Sequence, residues 1–299
     1  MLLDKVKKNL IIGTASFQSG YGLTKKHNPN SEKQFEIIKY AKKNGINFID
    51  TANAYRGVEK KLGKIGLKKF KIISKIKLPN FDKIQKKNIV QKIIYDQVDK
   101  SLKNLKIKQF YCILLHAGEV LGTANSKIIY ECLLSLKISK KTEKIGISIY
   151  DPIKTMPIIK KYNLDIIQAP FNLFDQRILS KEFVKIVNKK KIEIHIRSIF
   201  LQGLLTLEKN SRPKYFLKWK KLFNKFDKIK EKNKISGTNL CIMNAIFLKK
   251  IKRKIILGMN SKKQLEEILN IRLIKKFKIG KSLCSNSEEL IYPYLWPKI

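Results

Sequence analysis

The sequence predicts an α/β protein of the (β/α)8 TIM barrel class, and three observations lead there. Eight short runs rich in Ile, Leu and Phe recur along the chain, nearly continuous in hydrophobicity, as strands buried on both faces should be. Stretches of helical periodicity fill the gaps between them. A polar residue closes every run, at the strand end where barrels of this class carry their chemistry. A doubly wound open sheet is the competing architecture. Against it stand the count of eight runs and the absence of a G-x-G-x-x-G stretch after the first, which ends in GTAS.

The elements follow in order. The first strand is NLIIGTAS (9–16), with Thr14 at its end. SEKQFEIIKYAKKNG (31–45) is a helix opened by Ser31 before Glu32 and stopped by Gly45. INFIDTA (46–52) stops on Asp50, and the turn after it presents Tyr55 before the chain turns helical again. FKIISKI (70–76) carries Lys75 and is followed by a helix over NIVQKIIYDQVDKSLKNL (88–105). QFYCILLHA (109–117) closes on His116, EKIGISIY (143–150) carries Ser148, and LDIIQAPF (164–171) carries Gln168. The helix SKEFVKIVNKKK (180–191) leads into KIEIHIRSIF (191–200), which reaches Arg197. A basic, aromatic-containing helical insert then spans about 209–234. TNLCIMNAIFLKK (238–250) is helical, RKIILGM (253–259) is the eighth strand leading to Asn260, and SKKQLEEILNIRL (261–273) is the helix after it. With no Pro- or Gly-rich linker and no break in composition, residues 1–299 are expected to form one barrel domain carrying the insert.

The formal net charge is +42, from 65 Lys and Arg against 23 Asp and Glu. Only six of the basic residues are Arg, whereas nucleic-acid surfaces exploit the arginine fork. Lysine recurs everywhere, mixed with Ile and Asn, which reads as solvated faces with a biased composition. No specific nucleic-acid partner is expected, although such a field attracts anions. Cys112, Cys132, Cys241 and Cys284 are scattered with no CxxC pair, the usage of reduced thiols. MLLDKVKKNL is charged from its fourth residue, so no signal peptide is expected. No apolar run approaches the ~20 residues of a membrane span, so no membrane insertion is expected either. The expected location is the cytoplasm.

Asp50 follows Ile49 and Phe48, where a carboxylate must be paired or must cap something. It pairs with Lys75 on the adjacent strand, or it bonds locally through Thr51 and Asn53. Lys75 means little by type in so lysine-rich a chain; its setting inside a buried strand is what singles it out. Histidine is rare here (His27, His116 and His195), and His116 closing YCILLH is a functional candidate beside a core-packing reading. His195 alternates within its strand and is expected to pack; His27 lies in a polar loop without a role.

Asp50-Thr51-Ala52 with Tyr55, then Glu59, Leu62-Gly63, Lys75 and His116, resembles the aldo-keto reductase superfamily. The resemblance runs on through KIGIS, IIQAPFN, RSIFLQGLL and ILGMNSKKQLEEIL, and so covers nearly the whole chain. RSIFLQGLL together with the tail ELIYPYLWPKI is similar to a bacterial subgroup linked with surface-polysaccharide biosynthesis. The resemblance implies an NAD(P)H-dependent reductase that converts an aldehyde or ketone to an alcohol without a metal, with NADPH ahead of NADH. Tyr55 is then the general acid. A phenol ionises near ~10, and Lys75, held by Asp50, would lower that value. His116 would position the substrate oxygen.

The same resemblance implies a cofactor site. Gly13 and Thr14 approach the nicotinamide ribose, Ser148 and Gln168 the carboxamide. Arg197 stands where an aromatic usually stacks on the nicotinamide ring. Ser198, Phe200, Gln202 and Gly203 run along the pyrophosphate, and Met259, Asn260, Gln264 and Glu267 hold the adenosine end. The chain departs from the family pattern at Arg56, where Gly is usual, at Ile149, where Asn is common, and at Gln264, where many members carry Arg. Tyr21 and Arg56 are expected to shape the mouth for a small carbonyl substrate, sugar-like by the subgroup association. Two other function classes compete: a non-catalytic barrel that keeps the cofactor site, and an electrostatic binder of nucleic acid or membrane surfaces.

Overall fold

The computed structural model describes residues 7–23, 30–79, 83, 85–271, 274 and 281–297. His27 and part of the predicted last helix lie outside the described residues. Eight parallel strands form a closed barrel in chain order: β1 Leu10–Gly13, β2 Phe48–Asp50, β3 Lys71–Ile76, β4 Phe110–Leu115, β5 Thr142–Ser148, β6 Ile166–Pro170, β7 Glu193–Arg197 and β8 Arg253–Gly258. Closure comes from β1 pairing with both β2 and β8. All eight predicted strands are present, and most are shorter than the apolar runs because the run ends leave the ladder at the barrel rims.

Alternation along the strands decides what faces where. Ile11, Ile73, Cys112, Leu114, Ile166 and Ile256 pack together as one buried cluster inside the wall. Their neighbours Leu10, Ile12, Ile72, Ile113, Ile167 and Ile255 join the larger core under the helices. An apolar plug thus fills the barrel below its mouth, as the class requires.

The helices are α1 Ser31–Lys43, α2 Val58–Ile65, α3 Lys87–Leu105, α4 Ser126–Ile138, α5 Met156–Lys161, α6 Lys181–Lys189, α7 Lys220–Asn233, α8 Gly237–Ile246, α9 Lys262–Leu269 and α10 Glu288–Ile291. The start of α1 differs by one residue from expectation. Asn30, not Ser31, is the cap, its side chain accepting from the Glu32 and Lys33 N–H groups. Gly45 does end the helix, with φ +76°.

The 209–234 insert is α-helical from residue 220; before that it forms short 3-10 helices at Lys209–Ser211 and Lys214–Trp219. Packing explains the difference. Phe216, Phe223 and Phe226 are buried with Leu283, Leu290, Ile291 and Trp296 of the C-terminal segment, in a second core that also takes in Leu173, Leu201 and Leu204. Arg212 binds Asp227 through two hydrogen bonds and lies over the Phe223 ring. The insert and the tail together buttress the loops that follow β6 and β7. Among the described residues no helix is long and apolar enough to cross a membrane.

Candidate active site

The chain after β2 is zipped onto β3 before it turns. Thr51 N–H donates to Ile73 O and Asn53 N–H to Lys75 O, at 2.9 and 3.0 Å. Tyr55 N–H then returns to Ala52 O, and Gly57 takes φ +71° to launch α2. Glycine is suited to that left-handed position, so the Gly one place after Arg56 serves the turn. The result holds Tyr55 over the mouth, while Arg56 is exposed.

Beneath Tyr55 lies a buried ion pair. Lys75 Nζ donates to Asp50 Oδ1 at 2.6 Å and to Thr51 O at 2.8 Å. Gln168 Nε2 donates to the other carboxylate oxygen of Asp50 at 2.7 Å, from across the barrel. Thr14 Oγ1 donates to the Asp50 carbonyl at 2.9 Å. Lys75 and Asp50 are 1% and 3% exposed, so each is tolerable only because the other is there. The Lys75 ammonium sits over the Tyr55 ring, 5.3 Å from its centroid. The His116 ring meets the Tyr55 ring edge-on, with centroids 6.1 Å apart.

The electrostatics follow from burial and from these pairings. Burial pushes the Lys75 ammonium below its ordinary value, and Asp50 opposes that. The Tyr55 phenol is raised, first by burial and then by Asp50; the cation that pulls it down is Arg197. Lys75 directs two of its three N–H donors to Asp50 and Thr51 and stands over the ring. His116 is pulled down to about 3 by burial, then by Lys75, Arg197 and Lys77. Tyr21 is pushed up to about 12, chiefly by burial and then by Tyr55. At neutral pH the site therefore holds a protonated phenol beside an uncharged imidazole.

The remaining expected residues fall at the same rim in varied settings. Ser148 is buried at the end of β5, in register with Gln168. Gly13 is required by close packing, since a Cβ there would lie 2.8 Å from an Ile256 methyl. Ser198 and Gln202 have positive φ of 60° and 52°, and Gly203 has 94°, in the loop after β7 that also holds Phe200. Met259 is buried and its carbonyl accepts from Ser16 Oγ at 3.0 Å. Asn260, Gln264 and Glu267 lie on an exposed face at the start of α9, where Gln264 Oε1 accepts from Asn260 N–H at 2.7 Å.

These residues fit a nicotinamide dinucleotide. A loop of left-handed residues and the N-terminus of α9 follow adjacent strands, the kinds of backbone that bind phosphates. Among the described residues no group of three or more His, Cys, Asp or Glu side chains could hold a metal ion.

Three residues near the mouth are not singled out by the sequence. Tyr150 lies under Arg197, whose guanidinium carbon is 4.6 Å from the ring centroid, and Tyr294 of the tail meets Tyr150 edge-on at 5.3 Å. Lys77 adds a second positive field on His116. Tyr150 was visible as the aromatic ending EKIGISIY; Lys77 carried no signal among so many lysines. His195 packs as expected, fully buried, with Nε2 2.8 Å from Glu193.

A closed parallel barrel with a buried lysine–carboxylate pair, a tyrosine and a histidine at one rim has the form of an oxidoreductase. The chain belongs to the aldo/keto reductase family, whose family model matches residues 9–280. No curated protein matches it significantly. It is similar in fold to the holo form of an aldo-keto reductase from Bacillus halodurans, at 16% identity over 92% of this chain and 89% of that one, with TM-score 0.68. It is likewise similar to a glycerol dehydrogenase from Gluconobacter oxydans, at 19% identity over 92% and 88% of the two chains, with TM-score 0.68.

Proposed function

We propose that this chain reduces an aldehyde or ketone to the alcohol, with Tyr55 as proton donor, and that NADPH, ahead of NADH, is the hydride source. The observation that carries the reading is the half-buried Tyr55 ring set edge-on to His116 and over the buried Lys75–Asp50 pair. When bound, the nicotinamide supplies hydride to the carbonyl carbon. The chain's own residues do the rest. Tyr55 O–H and the His116 ring hold the carbonyl oxygen from two sides, fixing the carbon in place. As negative charge develops on that oxygen, the Tyr55 proton moves to it, and Lys75 and Arg197 stabilise the phenolate left behind. Asp50, gripped by Gln168, keeps Lys75 charged in spite of its burial. Ser148, the 198–203 loop and the start of α9 hold the cofactor. A polar, sugar-like carbonyl compound suits a rim built from Tyr21, Tyr150 and Arg197.

The test is NADPH and NADH oxidation with a panel of aldehydes and ketones, for wild type and Tyr55→Phe. The wild type turns over at least one panel member. The variant keeps cofactor binding, read by nicotinamide fluorescence, and loses roughly 10²–10⁴-fold in turnover, the range of general acid catalysis. A Tyr55→Phe enzyme as fast as wild type removes Tyr55 from its role, and a wild type that binds no nicotinamide removes the reductase reading.

A further inference from the structure

Three partly buried arginines of the described residues are matched to what they hold. Arg177 binds Asp175 and Asp151, and Arg212 binds Asp227. Arg253 donates to the Ala245 and Ile246 carbonyls at the end of α8. Arg197 breaks the pattern. Its Nη1 donates to Ser198 Oγ at 3.2 Å and its Nη2 to Ile149 O at 3.0 Å, while Tyr150 covers one face of its plane. Among the described residues no carboxylate lies within ion-pair distance of it. A guanidinium has five N–H donors, so most of this half-buried fork is uncommitted.

The surroundings repeat the imbalance. The field of Arg197 reaches Tyr55, Tyr21 and His116, so the charge lies against the mouth. Lys77 adds to it at His116. Asp50, the carboxylate of the site, is already taken on both oxygens by Lys75 and Gln168. His116 is neutral and contributes a hydrogen bond, not a charge.

We infer that the substrate is an anionic carbonyl compound, carrying a carboxylate or phosphate that the Arg197 guanidinium grips while Tyr55 and His116 hold the carbonyl oxygen. The inference rests on the reductase reading of the same mouth. It moves Arg197 from the cofactor to the substrate, in keeping with a guanidinium drawn toward β5 by the Ile149 carbonyl. Charge-assisted, fork-shaped recognition of carboxylate or phosphate is the chemistry arginine does best.

The experiment compares matched probes in steady state: 4-carboxybenzaldehyde with methyl 4-formylbenzoate, and glyceraldehyde 3-phosphate with glyceraldehyde. It is run with NADPH in 0.3 M salt, so that the diffuse field of the +42 charge is screened and close contacts persist. Wild type favours an anionic probe over its neutral match in KM, and the pair with the larger ratio identifies the anion. Arg197→Gln raises KM for that anionic probe roughly tenfold to hundredfold, the worth of a hydrogen bond to a charged group. The variant slows turnover of every probe, because the phenolate loses a stabilising cation, but it collapses the KM ratio between the matched probes while the fluorescence-measured NADPH affinity stays within about twofold of wild type, and Arg197→Lys recovers part of that ratio. Equal KM values within each pair for wild type overturn the inference but leave the reductase reading standing. So does an Arg197→Gln variant that weakens NADPH and all probes alike, which would return Arg197 to the cofactor. A wild type that binds no NADPH overturns both.

Discussion

The two ends of the barrel use the same four chemical groups (a phenol, an imidazole, an ammonium and a carboxylate) and do opposite things with them. The mouth has Tyr55, His116, Lys75 and Asp50. The floor, at the N-terminal ends of the strands, has Tyr111, His195, Lys144 and Glu193. At the floor, Lys144 Nζ donates to the Tyr111 hydroxyl at 2.6 Å and His195 Nε2 bonds Glu193 at 2.8 Å. Lys252 approaches Glu193 at 3.5 Å, and Lys71 and Lys254 cover the Phe48 ring. At the mouth the lysine goes to the carboxylate instead. That choice leaves the Tyr55 hydroxyl and the His116 ring without a hydrogen-bond partner among the described residues. Residue types alone do not make a site; what each one is paired with decides whether it can act on a substrate.

The largest expected effect at the mouth on stability comes from removing the charge that compensates Lys75. Asp50→Asn leaves a buried ammonium facing only neutral acceptors, and breaking such a pair costs about 3–5 kcal/mol. Urea unfolding measures it, and a loss below about 1 kcal/mol would mean that water reaches Lys75.

The floor offers the matching test by pH. Glu193 ionises at about 2 in the folded chain, because its bond from His195, with help from Lys144 and Lys254, outweighs the burial that would raise it. Its ordinary value is 4.5. Between those values the unfolded chain binds a proton that the folded chain refuses. The stabilisation is therefore complete above pH 4.5 and lost as the pH falls through 2, about 3 kcal/mol in all. Glu193→Gln flattens that acid limb in a denaturation series. A variant with the wild-type limb would place the acid sensitivity elsewhere.

The barrel and the mouth were more legible in sequence than the floor, for a physical reason. A polar residue that ends an Ile-rich run has few reasons to be there, so Asp50, His116 and Gln168 could be picked out by position. Lys71, Lys144 and Lys254 begin strands in a chain where lysine is everywhere, and nothing local separates a floor lysine from a surface one. Partners distant in sequence were also hidden. The bond from Gln168 to Asp50 spans 118 positions, and no periodicity announces it. The insert read as a basic helix because its charges dominate; that Phe216 seats against Trp296, with rings 4.9 Å apart, depends on a tail eighty residues on.

The smallest effect gives the sharpest contrast. Tyr111→Phe removes a hydroxyl bonded to Lys144, as Tyr55→Phe removes one at the other rim. Burial raises the Tyr111 phenol, so it is protonated at neutral pH, as Tyr55 is. Lys144 keeps partial access to solvent, so the ammonium left behind can turn to water rather than remain stranded. The cost should be about 1 kcal/mol, that of one ordinary hydrogen bond. Turnover should not change, because an acid already engaged by a lysine below the apolar plug has no route to a substrate. Tyr111→Phe and Tyr55→Phe therefore separate completely: the first lowers the denaturation midpoint and spares the rate, and the second spares the midpoint and abolishes most of the rate. A Tyr111→Phe variant that slows turnover would show that the two rims are coupled through the barrel interior, and the division between a floor whose groups pair with one another and an available mouth would have to be withdrawn.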